Sequence, residues 1–98
     1  MATFIVRIEL PNALPNDYEI LNHKMEQSGF SRRIYGNDGK SYALPTAEYM
    51  WSSRFQTTRA VRSQVALIIN SIQKRNSAIL VMKFSSSAWT GLKQLEPS

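Results

Sequence analysis

The apolar residues of this chain change period repeatedly, and the order of those changes limits its fold more than any other feature. From Thr3 to Leu10, Phe4, Val6, Ile8 and Leu10 alternate with Ile5, Arg7 and Glu9, the period of two of a half-buried strand. Pro11 has no N–H to give and ends it. Asn16 is placed to cap a helix with Glu19 at its third position and Tyr18, Leu21 and Met25 on its apolar face. Gly29 suits the left-handed residue beyond that helix. Phe30 to Tyr35 reads as a second strand, reversed by Gly36-Asn37-Asp38-Gly39-Lys40. The third strand is expected between Ser41 and Trp51, with a bulge at Pro45 or a true start at Thr46, because proline cannot donate to a ladder. After a polar connection, Thr57 or Thr58 caps the longest helix, to about Arg75, with Val61, Val65, Ile68 and Ile72 in one stripe and Leu67 outside it. Ala78 to Phe84 is a last apolar strand.

Strand, helix, strand, strand, helix, strand is the order of the ferredoxin-like βαββαβ plan, an α+β fold. It predicts a four-stranded antiparallel sheet with both helices on one face and the other face open. Right-handed crossovers place the first and third strands at the centre. The 98 residues suffice for one domain. Residues 1–84 form it, and 85–98 form a C-terminal tail whose Trp89, Leu92 and Leu95 are expected to pack on the domain or on a partner subunit.

Twelve Lys and Arg against seven Asp and Glu leave a net charge of +5, which attracts polyanions. Without cysteine there is no disulfide, thiolate zinc site or thiol nucleophile, and one histidine excludes a multi-histidine metal cluster. No metal and no cofactor are expected. No apolar run reaches the ~18 residues of a membrane span, and Met1 to Arg7 lacks the form of a signal peptide. A cytoplasmic protein with no membrane partner is the expectation.

Arg32, Arg33 and Tyr35 fall on the second strand beside the Lys40 turn. Guanidinium forks match phosphate oxygens, whereas charge on an edge strand also serves simply to discourage aggregation. Arg7 and Lys83 are expected on the open face with Ile5, Ile79 and Val81, a basic and apolar surface suited to RNA or to a homodimer through that face or an edge strand. Tyr49 and Trp51 are the third strand's candidates for base stacking, against a core role, and the glycine-aromatic signature of RNA-recognition sheets is absent. Arg54, Arg59 and Arg62 form a second basic group at the start of the long helix. His23 falls opposite the apolar face of the first helix and is a poor general base, and the carboxylates do not form the converging set a two-metal nuclease needs. Any cleavage would be metal-independent, with arginines steadying a phosphate attacked by the RNA's own 2′-hydroxyl.

The opening Met1 to Leu10, Asp17-Tyr18-Glu19, Gly29-Phe30-Ser31-Arg32, Asp38-Gly39-Lys40 and above all Leu44-Pro45-Thr46-Ala47-Glu48-Tyr49 resemble small bacterial proteins grouped with GhoS, the antitoxin endoribonuclease of type V toxin-antitoxin systems. The similarity runs from residue 1 into the tail. It implies a ferredoxin-like fold related to the Cas2-like nucleases, and an activity that cuts the messenger of a small membrane toxin. Leu10-Pro11-Asn12 stands where Cas2-type proteins carry an aspartate, which argues against their metal site. The resemblance puts Arg32 forward as catalytic residue, with Arg7, Arg33, Tyr35, Lys40 and Lys83 as RNA contacts. Two function classes therefore stand: an antitoxin-type RNA-binding protein with endoribonuclease activity, and a non-catalytic protein-binding or RNA-binding module of a phage or mobile element.

Overall fold

The structure, a computed structural model, describes residues 2–53, 57–72, 76–84 and 90–95. The elements are β1 (Ala2–Glu9), α1 (Pro15–Gln27), β2 (Arg33–Tyr35), β3 (Ser41–Ala43), β4 (Glu48–Ser53), α2 (Thr58–Ser71) and β5 (Ala78–Phe84). The fold is α+β, with an antiparallel sheet of order β4-β1-β5 and a separate β2-β3 hairpin. Phe4, Val6, Ile8 and Leu10 of the first segment are buried, as their alternation requires, against Leu21 and Met25 of α1, Val61, Val65 and Ile69 of α2, and Tyr49 of β4. Both helices thus cover one face of the sheet.

The main sheet has three strands rather than four. β2 does not pair with it; just before β2, Ser31 and Met50 form an isolated bridge, exchanging backbone hydrogen bonds of 2.9 and 2.8 Å. The third strand is broken in two at Pro45. Arg32 and Leu44 stay joined by a bond of 2.9 Å, the chain turns through Thr46 and Ala47, and Glu48 N donates to Pro45 O at 3.1 Å. Ala47 carries a positive φ of 63°, which no regular strand accommodates. β3 therefore follows β2 away from the sheet while β4 pairs with β1.

Other expectations shift by local causes. Leu14, not Asn16, caps α1: Pro15 opens the helix and the Asp17 carboxylate accepts from Leu14 N at 2.8 Å. Thr57 caps α2, its hydroxyl accepting from Ala60 N at 3.1 Å. Ile69 joins Val61 and Val65 as a buried residue of α2, Ile68 and Ile72 pack partly buried against the same core, and Leu67 stays 71 % exposed. The tail packs on its own domain: Ala43 N donates to Lys93 O and Leu95 N to Ser41 O, each at 2.8 Å, so 93–95 extend the hairpin beyond β3. Leu92 and Leu95 are half-buried there, and Trp89 lies outside the described residues.

Candidate nucleic-acid interface

Register decides which predicted contacts share a surface. β1 sets Arg7 opposite both Glu48 and Leu80, and Ile5 opposite Met50 and Met82, on the open face. Lys83 pairs with Phe4, and Val81 with the buried Val6, so Lys83, Ile79 and Val81 belong to the helix-covered side. This corrects the placement of Lys83 with Arg7. Leu80 and Met82, about half exposed, occupy the open face of β5 instead.

Arg32 and Arg33, adjacent in sequence, do different work. The Arg32 guanidinium donates from Nη2 to the carbonyls of Leu44 at 3.0 Å and Pro45 at 3.3 Å. It lies over the Tyr49 ring at 5.7 Å, and its buried Nε has no hydrogen-bond partner. It braces the bend that splits β3 from β4. Tyr49, fully buried, donates its hydroxyl to Asn22 Oδ1, tying that bend to α1. Burial pushes the Tyr49 phenol up to about 12; the Arg32 cation opposes the shift and the Glu26 carboxylate adds to it. The folded phenol thus holds its proton more tightly than the unfolded one, whose ordinary value is 10.0. Its stabilisation is complete below pH 10 and is lost as pH rises towards 12. Urea midpoints of the wild type should accordingly fall more steeply above pH 10 than those of Tyr49→Phe; parallel curves would contradict this.

Arg33 instead crosses the hairpin, donating from Nη1 to Oγ of the buried Ser41 at 3.2 Å. Ser31 Oγ accepts from Arg33 N at 3.0 Å. The turn beyond is ordered by Asp38, whose carboxylate accepts from Lys40 N and from the Tyr42 hydroxyl, both at 2.9 Å. The Lys40 amide, then the Tyr42 hydroxyl, hold the Asp38 carboxyl below its usual range, and the same bond raises the Tyr42 phenol. Gly39, with φ of 77°, completes the reversal. Asp38→Asn should weaken both bonds and return the Tyr42 phenol towards its ordinary value, read by tyrosinate absorbance.

Three clefts meet around Arg33. One of about 560 Å³ lies between the end of α1 and the hairpin, lined by Glu26, Ser31, Arg32, Arg33 and Leu95. A second, of about 360 Å³, is formed by Arg33, Tyr35, Lys40, Ser41 and Gln94. A third, of about 490 Å³, opens toward the main sheet. The structure thus gathers Arg33, Tyr35 and Lys40, as the sequence suggested, with Tyr35 68 % exposed. Arg7 and Lys83 line none of these clefts. Arg59 and Arg62 are exposed on α2, Arg54 lies outside the described residues, and His23 is exposed on α1. Of the stacking candidates, Tyr49 is core. Trp51 is half-buried, its ring 4.7 Å from Phe30 at 31°.

Ser31, Glu26 and Gln94 are site residues that the sequence did not single out, whereas Leu95 packs on the domain as expected. Ser31 follows the Gly29-Phe30 helix stop, a cue that the chain crosses close to another element there. The apolar tail residues announced its packing on the domain, but not its backbone pairing with β3. Among the described residues, no helix is long and apolar enough to cross a membrane. No protein-family model matches the chain, and no curated protein matches it.

Proposed function

We propose that this chain is an antitoxin-type RNA-binding protein on a ferredoxin-like plan, and that it holds single-stranded RNA around Arg33 without cutting it. Reading β3 and β4 as one strand interrupted at Pro45 restores the βαββαβ order, with the hairpin peeled from the sheet edge. The observation that carries the reading is the convergence of three clefts on one guanidinium, with Lys40 and an exposed tyrosine alongside. A cationic path interleaved with aromatic rings suits a single strand, whose backbone supplies charge and whose bases supply flat faces. Arg32, put forward by resemblance as catalytic, acts here as a positioning residue: two carbonyls occupy its Nη2, leaving it poorly free to follow a reacting phosphate. Arg7 and Lys83 contribute only to the general positive field.

The test is fluorescence anisotropy with a 5′-labelled single-stranded RNA, beside gel analysis of the same RNA with and without chelator. Binding that weakens with salt, and RNA recovered intact under both conditions, is the expected result. Absence of binding at low salt would overturn the reading. Defined cleavage that survives chelation, and stops when the scissile position is 2′-deoxy, would restore the endoribonuclease.

A further inference from the structure

The third cleft differs from the other two in the side chains that wall it. It lies where the hairpin parts from the main sheet, behind the Ser31–Met50 bridge, and is walled by Ile34, Tyr35, Met50, Trp51 and Phe84. Register places Met50, Ser52, Thr3 and Phe84 together on the open face at this corner. A phosphate gains little from such a wall, because its charge would leave water for apolar surface. A planar group with an apolar face and a polar edge fits. At about 490 Å³ the space lies within the ~300–1,000 Å³ of pockets that enclose small organic ligands.

At the rim, the Thr3 and Ser52 hydroxyls are 3.1 Å apart and bond to each other. Each hydroxyl can turn to donate or accept, so the pair can meet the edge of any base. Trp51, which also lines the cleft, pairs with the buried Phe4, so its ring lies on the helix-covered side of β4 against Gly29 and Phe30. Arg33 lines this cleft as well as the other two, so a base lodged here has its phosphate beside that guanidinium.

We propose that this cleft is a nucleobase slot, taking one unpaired base of the bound strand by stacking, with little preference among bases. The inference rests on the RNA-binding reading above.

The experiment compares an octauridylate with a fully abasic ribose-phosphate octamer, which carries the same charge without bases. The wild type should bind the octauridylate about 5- to 100-fold more tightly, the range for one stacked base. Phe84→Ala removes part of the wall, and Ser52→Trp fills the slot from an exposed position, which guards against a folding effect of the first variant. Each should shrink that ratio at least fivefold, or to near unity where it starts small, while leaving the abasic Kd within twofold of wild type. Equal binding of the two oligomers by the wild type, or variants that keep the whole ratio, overturns the slot and leaves RNA binding standing. Failure of both oligomers to bind overturns the RNA-binding reading and the slot together.

Discussion

Gly29→Ala is expected to lower the unfolding free energy by about 2–4 kcal/mol. Gly29 has φ of +95°, a conformation costly for any residue with a Cβ, and an ideal Cβ there would lie 2.6 Å from the Trp51 ring. That ring cannot simply swing aside, because its other neighbour is the buried Phe30. Relief therefore has to come from moving Trp51 off Phe30 or from shifting Ser31, and either loosens the one bridge that ties the hairpin to β4. A double-mutant cycle separates the two costs. With Trp51→Phe in the background the steric part should vanish and the backbone part remain, giving a coupling of at least ~1 kcal/mol in urea denaturation. Additive effects would mean that the close approach of glycine and indole has no energetic weight.

The second large effect concerns the two neighbouring arginines. Arg33→Glu should weaken binding of single-stranded RNA about 10- to 100-fold at low salt, through loss of a charge-assisted contact and added repulsion. Thermal melts of the same variant read any separate effect on folding, and the guanidinium bond to Ser41 Oγ is part-buried. Arg32→Gln should act on stability instead. Removal of its bonds to the Leu44 and Pro45 carbonyls and of its place over Tyr49 should cost about 1–3 kcal/mol of stability. The Kd of the folded fraction should stay within twofold. Thermal melts and anisotropy on the same preparations read both halves.

How far the sequence alone could lead is clear from particular residues. In β1, charged and apolar residues alternate, so the phase was visible and Phe4, Val6 and Ile8 are buried as expected. In β5, Ala78 to Met82 are apolar at every position, and such a run carries no phase; only pairing with β1 shows that Val81 and Lys83 face the helices. Gly29 was legible as a helix stop, but not its second duty of making room for Trp51. Pro45 signalled an irregular third strand. The extent of the break was hidden, because it depends on Arg32 reaching back across 12 residues and on a positive φ at Ala47, a residue that gives no hint of one. Arg33, Tyr35 and Lys40 could be grouped beforehand because a hairpin brings its own two strands together. The clefts formed with α1, the tail and the sheet corner depend on contacts distant in sequence, which no local pattern encodes.

Whether Arg33 meets a phosphate while Arg32 does not is measured most directly by the salt dependence of affinity. For single strands each neutralised phosphate adds about 0.7 to the slope of log Kd against log salt. Octauridylate titrations from low to moderate salt should give Arg33→Gln a slope lower than wild type by about that amount, and Arg32→Gln an unchanged one. An undiminished slope in Arg33→Gln, or a drop found in Arg32→Gln instead, would contradict the account.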